Sequence, residues 1–150
     1  MAEDIKNLVV SILEKGYLMT LATSDENGVW ASDVIFVHDG ALGIYWLSET
    51  DTRHSKAIAR NPRVAGTITT SNNKDEKNVG IQFEGNAEKI EGDILEIAVK
   101  HRAKRGKQAP SRIGEILDEG ESWYRITPAK IELIYESLFG FDKRVLEVGN

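Results

Sequence analysis

Apolar and polar residues follow one another in patterns that divide the chain into short strands and a few helices. Ile5, Leu8, Val9, Ile12 and Leu13 recur at helical spacing, and Gly16 stands where such a helix should stop. Residues 3–15 are therefore expected to form an amphipathic helix. Tyr17–Thr23 reads as a strand, and Asp25-Glu26-Asn27-Gly28 after it carries the Asn-Gly hairpin signal. Val29–His38 and Ala41–Leu47 flank His38-Asp39-Gly40 and should pair antiparallel. The first of these is apolar on nearly both faces, with Trp30, Val34 and Phe36 on one side and Val29, Ala31, Ile35 and Val37 on the other. A strand with one wet face alternates. This one does not, so a ligand, a helix or a second subunit should cover it. Ser32 and Asp33 interrupt the run and need partners if buried.

A helix is expected at about 53–60, ended by Asn61-Pro62, before a strand at Val64–Thr70. The polar stretch Ser71–Asn78 reads as a loop. Val79, Ile81, Phe83 and Ala87 then alternate with polar residues, and Gly85 suits a bulge or barrel bend. A helix from about Gly92 should turn Ile94, Leu95, Ala98 and Val99 inward. A short helical piece is expected around Ile113–Leu117. Trp123–Tyr135 looks like a strand interrupted by Pro128, and Lys143–Val148 closes the chain. Six or seven strands without a repeating strand–helix–strand rhythm indicate a mainly β protein. A closed or nearly closed antiparallel barrel with two or three peripheral helices fits best. With 150 residues and no domain boundary, 1–150 is read as a single domain.

Composition narrows the chemistry. The absence of cysteine excludes disulfides, thiolate metal sites and a cysteine nucleophile, and His38, His54 and His101 lack metal-ligand spacing. A net charge of −5 argues against general nucleic-acid binding. With no apolar signal core or membrane-length run, the expected location is cytoplasmic. The charge run Lys100–Lys107 reads as a solvated helix end, or more sharply as a gate for a phosphorylated or carboxylated substrate such as NADH. Phe139-Gly140-Phe141 is a segment that could close over a ring or simply pack.

One segment concentrates anion-binding chemistry. Ser48-Glu49-Thr50-Asp51-Thr52-Arg53-His54-Ser55 brings four hydroxyls, a fixed cation and an imidazole to the start of a helix, where unpaired amides and the positive dipole end point the same way. Glu49 and Asp51 oppose an anion there unless they turn outward.

The order of Tyr17–Thr23, Trp30–Phe36, Gly43–Ser48, Thr52-Arg53-His54-Ser55, Asn61-Pro62-Arg63-Val64-Ala65 and Gln82-Phe83-Glu84-Gly85 resembles the pyridoxamine 5'-phosphate oxidase-like superfamily of flavin-binding split barrels, and most closely its small bacterial proteins of the YhbP type. Trp123–Leu133 is similar to the superfamily's closing strand. The resemblance implies a six-stranded antiparallel Greek-key split barrel, a homodimer, and FMN in a groove between the subunits. It further implies that Ser48, Thr52, Arg53 and His54 bind the phosphate. The ring would lie along Ser32-Asp33-Val34-Ile35, with a further contact from Gln82. Two departures stand out. Histidine at 54 replaces the common lysine, and Val37 and Arg144-Val145-Leu146 stand where the oxidases grip their vitamin substrate. An FMN flavoprotein with a different substrate is the expected function. The alternatives are a deazaflavin- or haem-binding barrel, or a non-enzymatic flavin-binding or dimeric interaction module. Phosphate contacts alone, at about 1.5–3 kcal/mol for each charge-assisted hydrogen bond, barely reach the roughly 8 kcal/mol of micromolar binding, so ring burial has to contribute.

Overall fold

The computed structural model of the protein describes residues 2–92, 94–110 and 117–148. Its elements run α1 (Ala2–Lys15), β1 (Leu18–Asp25), β2 (Gly28–His38), β3 (Ile44–Glu49), α2 (Arg53–Arg60), β4 (Arg63–Thr69), β5 (Val79–Ile90), α3 (Leu95–Lys104), β6 (Glu121–Tyr135), α4 (Glu136–Phe139) and β7 (Arg144–Glu147). Neighbours in the sheet follow the order β3-β2-β1-β4-β5-β6-β7, and β3 also pairs with β6. Six antiparallel strands thus close on themselves, while β7 adds to the outside of β6. Closure through β3 and β6 removes most of the free edge that an open sheet would expose.

Alternation decides what fills the barrel. Met19, Leu21, Phe36, Ile44, Trp46, Ile68, Ile81, Ile126 and Leu133 point inward and are essentially inaccessible. α1 packs Val9, Ile12 and Leu13 against this core, as its spacing predicts. A second cluster lies outside the barrel, where α3 covers Val37, Tyr45 and Trp123 with Ile97 and Ala98. Of the expected stripe, Ala98 is buried and Ile94 and Leu95 pack against this cluster, while Val99 is exposed and Ile97 and His101 are buried in its place. The cause is the partner surface, since the Trp123 ring receives the His101 imidazole edge-on at 5.3 Å.

Other boundaries also shift. β3 begins at Ile44 rather than Ala41 because the Asp39 carboxylate accepts hydrogen bonds from the Ala41 and Gly43 amides, holding 41–43 in a turn with Leu42 at φ 73°. Pro128 does not interrupt β6. The β5–β6 register steps between Glu84 and Gly85, so that Glu84 faces Lys130, Gly85 faces Pro128, and Ala129 is the extra residue of a bulge. The helical piece expected around Ile113–Leu117 falls almost wholly outside the described residues. Among the described residues, no helix is long and apolar enough to cross a membrane, and no cluster of three His, Asp or Glu could hold a metal ion.

Candidate functional site

The barrel is split on one side. β2 pairs with β1 along Gly28–Ile35, but with β3 only at Phe36, Val37 and His38. On the N-terminal side of Phe36 the two strands are apart. The Phe36 amide donates to the Tyr17 carbonyl on the β1 side, at 3.4 Å. Antiparallel alternation therefore sends the backbone groups of Ala31, Asp33 and Ile35 the other way, into the gap. Leu47, Ser48 and Glu49 of β3 likewise face β6 and have no partner on β2. The result is a slot with backbone donors and acceptors along one wall.

His54, in the first turn of α2, spans the slot. Its Nε2 lies 2.8 Å from Ser48 Oγ on β3 and its Nδ1 lies 3.3 Å from Ser32 Oγ on β2. Burial pushes the His54 pKa below the ordinary imidazole value. A neutral ring also matches its environment, which offers two hydroxyls and no carboxylate. The residue expected from the resemblance as a second phosphate ligand here links β2 to β3 through its ring.

Arg53 is the fixed cation of the site. Its side chain is exposed, with the guanidinium 4.3 Å from the Trp30 ring centroid and one N–H donating to the Asn27 carbonyl at 3.2 Å. Trp30 is thus a platform for Arg53, whereas Trp46 and Trp123 are core residues. Thr52 caps α2, accepting from the Ser55 amide at 3.2 Å, while Ser55 Oγ donates to the Glu49 carbonyl at 2.8 Å. α2 has no acidic residue in its first turn, and Glu49 and Asp51 are exposed.

Five of the nine residues singled out from sequence therefore meet at one place: Ser32, Ser48, Thr52, Arg53 and His54. Val34 packs against the main core. Asp33 accepts from Thr20 Oγ1 at 2.7 Å on the outer face, and Ile35 shares that face. Gln82 stands apart on the outer face of β5, with β6 between it and β3, accepting from Lys143 Nζ at 2.9 Å. Trp30 was missed as a site residue. Phe139 lies under the Arg144 guanidinium, 4.7 Å from its ring centroid, while Phe141 is exposed.

The outer face of β1 and β2 is open in the single chain. Val29 is 76% exposed, Leu18 46%, and Ala31 and Ala65 are exposed beside them. α3 covers only the far end of β2, at Val37. Thr20 and Asp33, hydrogen-bonded to one another, divide these apolar positions.

Over residues 5–135 the sequence matches the family model described as Pyridoxamine 5'-phosphate oxidase. A UPF0306 protein of Yersinia enterocolitica is 28% identical over 99 residues, 65% of this chain and 67% of that protein. General Stress Protein 26 from Bacillus anthracis superposes with a TM-score of 0.70 at 17% identity, covering 95% of this chain and 98% of that one. HutZ, the heme storage protein from Vibrio cholerae, superposes with a TM-score of 0.60 at 21% identity, covering 80% and 87%. At these identities the superpositions establish the fold and nothing finer.

Proposed function

The chain belongs to the pyridoxamine 5'-phosphate oxidase family, and we propose that it is an FMN-binding flavoprotein that works as a homodimer in small-molecule redox chemistry. The observation that carries this reading is the slot between β2 and β3, with a free strand edge along its length and Arg53, hydroxyls and a helix N-terminus at its end. A planar ring with hydrogen-bonding edges fits the wall, and a phosphate fits the end. The slot offers a single fixed cation, because burial disfavours the charged form of His54. Ring burial therefore supplies much of the affinity.

In this reading Arg53, Ser48 and the amides opening α2 hold the phosphate. The backbone of Ala31, Asp33 and Ile35 orients the ring. Bound flavin would supply the hydride chemistry, and the chain supplies position and exclusion of water. No side chain of the slot is assigned as a general acid or base. A second copy covers the apolar outer face around Val29, and sedimentation at micromolar concentration is expected to give twice the chain mass. Gln82 reaches the flavin only if the second copy contributes it.

HutZ stores heme by its description, and this chain shares its fold. The three imidazoles here do not favour that use. His38 is bonded at both nitrogens, His54 is held between two serines, and His101 is buried against Trp123.

FMN titration followed by calorimetry and absorbance tests the proposal. Arg53→Ala is expected to weaken FMN about 10- to 100-fold, the loss of one charge-assisted contact. It should leave riboflavin, which lacks the phosphate, far less affected. His54→Lys is expected to tighten FMN by about tenfold by restoring a second cation. Protein that stays colourless in excess FMN and gives no heat would refute the reading. A Soret band on adding haemin, lost on a His→Ala change, would replace it with haem binding.

A further inference from the structure

A second cavity, of about 480 Å³, lies between the end of α1, the end of β2 and the last turn of α3, lined by residues that include Glu14, Lys15, His38, Lys100 and Lys104. Beyond Ile35 β2 has lost its β1 neighbour, so the carbonyls of Phe36 and His38 face this space without strand partners. The two lysines supply the donors. Lys104 Nζ donates to the Phe36 carbonyl at 2.7 Å, and Lys100 Nζ to the His38 carbonyl at 3.0 Å. The charge run expected to be solvated is therefore half turned inward.

Lys104 is unusual among the lysines. Its ammonium sits 3.9 Å from the Phe36 ring centroid, and burial brings its pKa down to about 8 against the partial opposition of Glu14. Next to it stands an acid–base pair, His38 Nε2 and Glu14 Oε2 at 2.6 Å. The Gly40 amide donates to His38 Nδ1 at 3.1 Å, which assigns the proton to Nε2 and directs it at Glu14. The Glu14 carboxyl is held below its ordinary pKa, chiefly by that hydrogen bond to His38. A desolvated amine beside a second cation and a proton-exchanging pair is the arrangement that makes a lysine nucleophilic.

We propose that Lys104 is a covalent capture site for a small aldehyde or 2-oxo acid that carries a carboxylate, held as an imine in this cavity. The Nζ lone pair bonds to the carbonyl carbon while the π pair moves to oxygen, which takes a proton. Nitrogen then gives up a proton, the hydroxyl takes a second one and leaves as water as C=N forms, and one proton is taken up from solvent overall. One water is released and no oxidant or reductant is needed. The protonated imine keeps one N–H, which the Phe36 carbonyl retains. Lys15 and Lys100 outweigh Glu14 around the cavity and select a carboxylate-bearing ligand.

The test is reductive trapping on the wild-type protein with glyoxylate and cyanoborohydride, read lysine by lysine as carboxymethylation in peptide mass spectra. At pH 7.5 Lys104 holds far more free amine than an ordinary lysine, so labelling at least about tenfold faster than at the exposed Lys74 is expected. The rate should level off near pH 8, where the facing groups Glu14, Lys15, Tyr17, His38 and Lys100 set the local field. Acetaldehyde, which has no carboxylate, should label Lys104 more slowly relative to Lys74 than glyoxylate does. Lys104→Arg should remove that label and leave the others. Labelling of Lys104 no faster than Lys74 would overturn the proposal, and equal glyoxylate-to-acetaldehyde ratios at the two sites would overturn its carboxylate selectivity.

Discussion

Gly85→Ala is expected to cost about 3 kcal/mol of unfolding free energy, lowering the melting temperature by roughly 6–12 °C for a chain of this length. Gly85 faces Pro128 in the β5–β6 bulge, and a Cβ there would collide with the Thr127 carbonyl oxygen and lie 2.8 Å from the Pro128 Cα. Both are backbone atoms, so no side chain can swing aside. The bulge must open, and with it the pairing that joins β5 to β6 around the barrel. Gly28 is the control. It sits at φ 106° in the Asn27-Gly28 turn, yet nothing lies within 4 Å of a Cβ placed there. Alanine at 28 should cost only left-handed strain, about 1–2 kcal/mol. Urea unfolding of the two variants ranks them. A Gly85→Ala protein as stable as wild type would mean that the bulge is not closed as described.

The parts of the molecule that were legible in the sequence are those fixed by neighbours in the chain. The hairpin at Asn27-Gly28, the helix ended by Asn61-Pro62 and the alternation of β5 depend on residues a few positions apart, so composition and period suffice. The bridge from Ser32 to His54 spans 22 residues and exists only because β2 joins β3 no earlier than Phe36. No periodicity encodes where two strands part. The same holds for Pro128, whose tolerance rests on a glycine in another strand. Lys100 and Lys104 misled for a different reason. Their long stems let an apparently solvated charge reach inward, and the carbonyls that attract them are orphaned by where β1 begins. The resemblance carried the fold and the place of the slot. It could not reveal that the His54 ring reaches both Ser32 and Ser48.

His101 makes the fold sensitive to mild acid. It lies 5% exposed in the cluster beneath α3, with its ring edge on Trp123, and burial together with Arg105, Lys104 and Arg102 depresses its pKa from 6.5 to about 4. Above pH 6.5 both the folded and unfolded chains carry it neutral, so it adds no pH dependence there. Between 6.5 and 4 the unfolded chain binds a proton that the folded chain refuses, and stability falls by about 1.4 kcal/mol for each pH unit. The total loss is roughly 3 kcal/mol by pH 4, after which this group contributes no further slope. Glu14 and His54, both shifted down, add losses of the same sign. Comparison with His101→Phe separates them, because phenylalanine keeps the ring contact and cannot titrate. The urea midpoint of the wild type should drop much more steeply from pH 7 to 4.5 than that of the variant. Parallel curves would show that His101 is protonated in the native state, which the packing of Ile97, Ala98 and Trp123 around it does not allow.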